Sequence, residues 1–290
     1  MKDYRILFPN EPYNRKCVDS AYMEEFVACR TMGIKYHFYD YEELTETGKL
    51  VTDMSYGESF TLVYRGWMLK PEQYATLYNK ILQLSNGYIT LLNSPKQYEA
   101  CHCFPNVYED IKDFTPRIIL LNEWESSVDI FAIKARIDFD FFLKDHVKSI
   151  KTDKGIEKIP GDVSVIGLYA KVCQFVKERG SLFTGGMVLK EFVDLMVGAD
   201  GKTNEWRAFF LYGNLVDISN NSDSLDVHGP PVDFVNNVNR RICTKSNFYT
   251  IDFALTDKRR WIVIETGDGG VSGLTPQCNA FGFYNKLDRI

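Results

Sequence analysis

Two acidic residues stand where burial would make them costly. Asp252 interrupts the apolar run Thr250-Ile-Asp-Phe-Ala-Leu255, and Glu265 closes Trp261-Ile-Val-Ile-Glu265. Carboxylates inside two apolar strands need compensation. A divalent cation supplies it, and magnesium in particular takes carboxylate oxygens together with substrate phosphates. A solvent-facing orientation or an arginine partner supplies it equally well. Gly267-Asp-Gly-Gly-Val-Ser-Gly273 follows directly. Backbone N–H groups of such a loop can cradle a phosphate. Ser272, however, occupies the last glycine position of a GxGxxG pattern, and a wide turn fits the stretch as well.

Cationic candidates come from several segments. Arg207, in Glu205-Trp-Arg207, shares strand parity with Glu205. Its planar fork suits phosphate or carboxylate, or an ion pair with Glu205 within the sheet. Lys144 follows Phe141-Phe-Leu; it either neutralises a phosphate in a cleft or snorkels from a strand end. Lys148 and Lys151 lie in the loop beyond it. Arg65 ends a strand, where an α/β unit opens its ligand crevice; a cation–π contact with Trp67 is the alternative.

Other patterns are set aside. Gly201-Lys202-Thr203 resembles the end of a P-loop, but Met196 stands where its first glycine is needed, so a hairpin turn is expected. Cys101-His102-Cys103 has no second ligand pair at finger-like spacing and reads as a helix adding small side chains to the core. The histidines at 37, 102, 146 and 228 show no triad spacing, and only His146 lies near the candidate chemistry.

The elements that must position these residues fall into two regions. Strands are expected at 5–8, 35–39, 60–64 and 87–92, alternating with helices at 18–32, 71–84 and from Ser94-Pro95 onward. This order implies a small, mostly parallel sheet. A boundary is expected near 113–116. Beyond it, strands at 140–144, 186–193, 205–211, 214–218, 249–255 and 261–265 and helices at 162–179 and after Pro230-Pro231 imply an α+β region with an antiparallel sheet. The turn at 198–203 is expected to join the strands at 186–193 and 205–211.

Length and composition fit this division. The 290 residues allow one large domain or two modest ones, and a 45% hydrophobic fraction can bury a full core. A net charge of -5 argues against a nucleic-acid partner. No apolar run approaches the roughly 20 residues of a membrane span, and the N-terminus lacks a signal-peptide pattern. Seven scattered cysteines fit reduced thiols. A cytoplasmic protein with no membrane partner is expected; the sequence leaves its oligomeric state open.

In order, the strand lysine Phe142-Leu-Lys144, the segment Met187-Val-Leu-Lys-Glu-Phe-Val-Asp194, Glu205-Trp-Arg207, Ile251-Asp252-Phe253 and Val263-Ile-Glu265 resemble the ATP-grasp superfamily. Tyr-Arg-Gly-Trp-Met at 64–68, Lys-Asp-His-Val-Lys-Ser at 144–149 and Gly-Asp-Gly-Gly-Val-Ser-Gly-Leu at 267–274 resemble its compact bacterial and phage clade. The resemblance implies an α/β pre-ATP-grasp domain over 1–114 and an α+β ATP-grasp nucleotide-binding domain over 115–290.

It further implies ATP and Mg2+ as cofactors. Lys144 would contact the phosphates. Lys190, Glu191, Phe192 and Val193 would form the adenine edge and hinge, with backbone hydrogen bonds from Glu191 and Val193, and Asp194 would approach the ribose. Arg207 would face the γ-phosphate, and Asp252 and Glu265 would hold magnesium. Lys148 and Lys151 would cover the phosphates, and Arg65 would bind a substrate from the first domain. The Glu-x-Asn ending common in the superfamily is broken here by Gly267, which either makes Asp268 the candidate third metal ligand or leaves the metal with more water.

The implied activity is an ATP-dependent carboxylate–amine ligase, forming C–N bonds through an acyl phosphate with release of ADP and phosphate. Its substrates would be peptide or small-molecule carboxylates and amines. A non-catalytic ATP-binding assembly protein and an ATP-dependent phosphoryl transferase use the same nucleotide site. Specificity would lie in Arg65, the loop after Ile150 and the segment 219–228.

Overall fold

The first strand is buried along almost its whole length, as expected of a strand covered on both faces. In the computed structural model, which describes residues 3–121, 127–152, 155–198, 201–221 and 228–289, this strand is β1 (Tyr4–Glu11). Then follow β2 (Asn14–Val18), α1 (Met23–Thr31), β3 (Tyr36–Tyr39), α2 (Tyr41–Thr47), β4 (Phe60–Tyr64), α3 (Pro71–Leu84) and β5 (Ile89–Leu91). β1 pairs in parallel with β3 and β4, and β4 with β5; β2 alone is antiparallel. Val18, expected to open the first helix, instead ends β2, and α1 begins at Met23.

α4 (Pro95–His102) and α5 (Pro105–Ile111) come next. A capping box fixes the start of α4: the Gln97 N–H donates to Ser94 Oγ, and Gln97 Oε1 accepts from the Ser94 N–H at 2.9 Å.

The antiparallel part forms two larger sheets and a small hairpin. β6 (Ile118–Leu121), α6 (Ser127–Lys134), β7 (Phe141–Asp145), β8 (Lys151–Thr152), β9 (Gly155–Ile156), α7 (Val165–Arg179) and β10 (Met187–Glu191) build the first region. β10 lies between β6 and β7, while β8 pairs with β9. β11 (Glu205–Leu211), β12 (Asn214–Asn220), α8 (Val232–Ile242), β13 (Phe248–Leu255) and β14 (Trp261–Asp268) build the second, in the order β12-β11-β13-β14. α9 (Ala280–Arg289) follows. The expected hairpin between the strands at 186–193 and 205–211 is not formed, because those strands enter different sheets. A local turn remains, with Val197 bridged to Thr203; residues 199–200 lie outside the described ones.

Packing crosses the line drawn at residue 114. Ile6 and Phe8 of β1 share a core with Phe209, Phe248 and, from α9, Phe283 and Leu287. Cys101, Phe104, Val107 and Ile111 pack beneath the larger antiparallel sheet with Phe210, Tyr249 and Val263. α4 thus packs against β14, the edge strand of the sheet that bears Asp252 and Glu265.

Candidate active site

Three candidate residues form a row across the larger sheet. Arg207 on β11 is paired with Asp252 on β13, and Asp252 with Glu265 on β14. Direct cross-strand partners share a face, so all three point into one cleft, which they line together with Lys148. Arg207 Nε donates to Asp252 Oδ1 at 2.8 Å and Nη2 to Oδ2 at 2.7 Å, while Nη1 donates to the Gly273 carbonyl at 3.0 Å. Arg207's partner is therefore Asp252 and not Glu205, which accepts from Thr203.

The smaller sheet contributes two buried lysines. Lys144 Nζ donates to Glu265 Oε1 at 3.0 Å, and Lys190 Nζ donates to the Ile264 carbonyl at 2.6 Å. Both ammonium groups lie over the Phe104 ring, at 5.1 and 3.9 Å from its centroid. Burial, then the neighbouring Lys144, pulls the Lys190 pKa well down, with Glu265 opposing. Burial favours protonated Glu265, but Lys144 and Lys148 outweigh it and hold the carboxyl at about 2. The two sheets thus meet through a cluster in which positive charge outnumbers negative, an arrangement suited to a polyanion.

Lys148 is held in place through the loop before it. Asp145, fully buried, accepts from the N–H groups of Val147 at 2.7 Å and Lys148 at 2.6 Å and from Arg179 Nε at 2.9 Å. Gly185, at φ +70°, packs so closely on the His146 ring that a Cβ there would lie 2.2 Å from Nδ1. Only glycine allows this approach.

The expected hinge lies at the far end of β10. Glu191's N–H donates to the Arg117 carbonyl at 2.8 Å and Phe192's to the Asp140 carbonyl at 2.7 Å. The Glu191 carboxylate is gripped by Arg117 Nε at 3.0 Å. Phe192 packs edge-on against Phe142. Asp194 is exposed, and its carbonyl accepts from Asp257. Val193 lies between them, half-buried.

Two expected positions are corrected. Arg65 does not face a crevice: it is fully buried. Its Nε and Nη2 donate to the two Glu25 oxygens at 2.8 and 2.6 Å, and Nη1 donates to the carbonyls of Gly269 and Ser272. Tyr284 adds a hydroxyl donor to Glu25 at 2.6 Å. Nor does Arg65 stack on Trp67, whose indole N–H donates to Asp19. A strand-end arginine reaches a ligand only if no buried carboxylate claims it, and Glu25 on α1 does.

Asp268 is likewise misplaced as a metal ligand. It pairs with Tyr249, in the opposite phase to the Asp252–Glu265 pair, so it points to the other face. There it accepts from Asn93 Nδ2 at 2.5 Å and from the Gly270 N–H at 2.7 Å. Burial pushes its pKa up to about 7 against those two bonds. The next position on Glu265's own face of β14 is Gly267, where a Cβ would meet Ser272 Oγ at 2.7 Å and Thr250 Oγ1 at 2.8 Å. Those hydroxyls share a hydrogen bond of 2.9 Å and fill the space a third side-chain ligand would need.

The donor chemistry fits magnesium bound as a nucleotide complex. Magnesium typically takes one or two carboxylates, with substrate phosphates and water completing the octahedron. Asp252 and Glu265 are adjacent, face the cleft and are held by cationic side chains, so they meet that requirement. Among the described residues no three acidic, histidine or cysteine side chains gather into a metal cage.

Sequence reasoning missed Phe104, His102 and the hydroxyls of Thr250 and Ser272. The first two lie on or beside α4, far from the motifs in sequence, and only the packing of α4 against β14 brings them in. The side chain of Lys151 and residues 153–154 and 222–227, within segments expected to set specificity, lie outside the described residues. No described helix is long and apolar enough to cross a membrane.

Comparison with known proteins bears on the family and the fold. A family model described as an ATP-grasp domain, R2K clade family 3, matches residues 133–287. No curated protein matches the sequence. Among solved structures, the ATP-grasp ligase PsnB complexed with a minimal precursor is similar over 99% of this chain and 100% of its own, at a TM-score of 0.60 and 11% identity. D-alanyl-alanine synthetase A from Vibrio cholerae O1 is similar over 98% and 94%, at 0.57 and 12%. The macrocyclase MdnC, bound with precursor peptide MdnA from Microcystis aeruginosa, is similar over 98% of both chains, at 0.57 and 14%. These likenesses concern the fold.

Proposed function

The chain belongs to the ATP-grasp family, R2K clade family 3, and from that premise we propose that it is an ATP-dependent carboxylate–amine ligase working through an acyl phosphate. The observation that carries this reading is the row Arg207–Asp252–Glu265 in one cleft with Lys148, backed by buried Lys144 and Lys190. Phosphoryl transfer asks mainly for positioning and charge neutralisation, and these residue types provide both.

In the proposed reaction a carboxylate oxygen attacks the γ-phosphorus of ATP, the bond to ADP breaks, and an acyl phosphate forms. An uncharged amine then attacks the acyl carbon, the C–N bond forms, phosphate leaves and the amine gives up one proton. Lys144 neutralises phosphate oxygens, Lys190 stands between it and the adenine edge, and Arg207 and Lys148 face the transferred group. Asp252 and Glu265 would hold magnesium, which when bound screens charge between the phosphates. The backbone between Glu191 and Val193 would meet the adenine edge, with Asp194 near the ribose. PsnB and MdnC are each seen with a precursor, and the synthetase of the same fold is named for a dipeptide; peptide or amino-acid carboxylates and amines are accordingly the substrates to try first, and a cytoplasmic setting suits ATP.

The test is product analysis with Mg-ATP and a panel of amino acids and short peptides as both carboxylates and amines. ADP and phosphate released with the ligated product support the reading. AMP and pyrophosphate overturn the acyl-phosphate route. A phosphorylated product without ligation marks a phosphoryl transferase, and tight nucleotide binding without turnover marks an assembly protein.

A further inference from the structure

Phe104 sits at the corner between α4 and α5 and is fully buried. It belongs to the core beneath the larger sheet, with Cys101, Val107 and Phe210. The same ring also meets the smaller sheet. Lys144 on β7 pairs with Val188 on β10, two residues before Lys190, so the two lysines share one face of that sheet. Lys144 Nζ lies 5.1 Å and Lys190 Nζ 3.9 Å from the Phe104 centroid. Both distances are within the reach of a cation–π contact. The Phe104 N–H donates to the His146 carbonyl at 2.9 Å, which ties the same residue to the loop of Lys148.

The charges explain why a ring stands here. Lys144 and Lys190 are both buried. Lys144 takes a carboxylate, Glu265, but Lys190 takes only the Ile264 carbonyl. A buried ammonium without a carboxylate is costly. Burial and the neighbouring Lys144 favour loss of the Lys190 proton, and the negative face of an aromatic ring opposes that loss. A second carboxylate would also oppose it, but it would cancel the positive charge that a polyanion needs. A ring face lowers the cost of the charge and leaves it in place.

We propose that Phe104 is a positioning residue for nucleotide binding: its ring holds Lys144 and Lys190 as a charged pair for the nucleotide, from outside the antiparallel sheets. This assignment rests on the nucleotide site of the reading above and not on the ligation step.

The experiment replaces Phe104 in the full chain by 4-fluoro-, 3,5-difluoro- and 3,4,5-trifluorophenylalanine. These rings keep nearly the same shape while their negative face weakens with each fluorine. Calorimetric affinity for Mg-ADP should fall stepwise along the series, by about tenfold for the trifluoro ring. The same series at Phe210, a ring of the same core stacked on Tyr249, should leave that affinity unchanged. Urea unfolding should show both series folded alike. Mg-ADP affinity that ignores fluorine at Phe104, or that falls equally with fluorine at Phe210, makes Phe104 core packing and overturns the proposal. A wild-type chain with no affinity for Mg-ADP overturns it as well. None of these measurements needs turnover. Ligation without a fluorine effect therefore removes this proposal alone, and a fluorine effect without ligation removes the ligase reading alone.

Discussion

Arg207 and Asp252 face each other across β11 and β13 and are joined by two parallel hydrogen bonds, at 2.8 and 2.7 Å. The fork aligns the carboxylate in the plane of the sheet's cleft face, beside Glu265. Arginine does this because its guanidinium is rigid and bidentate; lysine brings the charge without the geometry.

Arg207→Lys should therefore keep Mg-ADP affinity within a few-fold while lowering the kcat of Mg-ATP turnover about 100-fold or more, the usual cost of one misplaced transition-state donor. Steady-state kinetics alongside calorimetry separates the two quantities. An unchanged kcat would leave Arg207 as a structural clamp on Asp252 alone.

Arg65 is expected to behave as a strut. It ties α1 to the loop at 269–272 from a fully buried position. Arg65→Met leaves Glu25 buried without its cation, so unfolding free energy should drop by about 3–5 kcal/mol. Arg65→Met combined with Glu25→Leu should recover much of that loss, since an apolar pair can replace a buried ion pair. Denaturant titration of the two variants checks this. A stable Arg65→Met that had lost turnover would return Arg65 to the substrate site.

Much of this was legible in the sequence because strand periodicity carries it. Arg207, Asp252 and Glu265 each fall on an expected strand, and the observed pairing puts them side by side. The parallel sheet followed from the alternation of strands and helices. What stayed hidden depends on partners distant in the chain. Nothing near Arg65 announces that Glu25 will claim it, and nothing near Asp268 announces Asn93. The strands at 186–193 and 205–211 do not form one hairpin because adjacency in sequence is the only guide to it, whereas β10 is paired on its two sides by β6 and β7, which are more distant in the chain. His102 is the same case: its local pattern is a core helix, and only the packing of α4 against β14 brings it to the cleft.

Asp268 should make stability depend on pH near neutrality. An unfolded aspartate titrates near 3.9, and in the folded chain burial moves it to about 7. Between those values the native state keeps a proton that the unfolded chain has lost, so stability falls as pH rises through the window, by up to about 1.4 kcal/mol per pH unit. Asp268→Asn, which resembles the protonated side chain, should remove that slope. Glu265 acts in the opposite sense and lower down: held at about 2, its stabilisation is complete above the ordinary carboxylate range and is lost as pH falls toward 2. Urea unfolding at pH 4.5, 6 and 7.5 isolates the Asp268 effect. Parallel pH profiles for wild type and Asp268→Asn would mean that this carboxyl does not hold its proton.

Under the proposed function, Gly267 limits how magnesium would be held. An asparagine here would complete the Glu-x-Asn ending seen elsewhere in the superfamily, yet a Cβ at this position runs into Ser272 Oγ and Thr250 Oγ1. Gly267→Asn should therefore cost about 1–3 kcal/mol of stability through overpacking and leave magnesium affinity no tighter. Gly267→Asn with Ser272→Gly removes one obstructing hydroxyl and should recover part of the stability. If the double variant also binds Mg-ADP more tightly than wild type, the hydroxyl pair occupies the third-ligand position and the native site relies on water in its place. If Gly267→Asn alone folds normally and tightens metal binding, the Thr250–Ser272 pair yields easily and does not define that position.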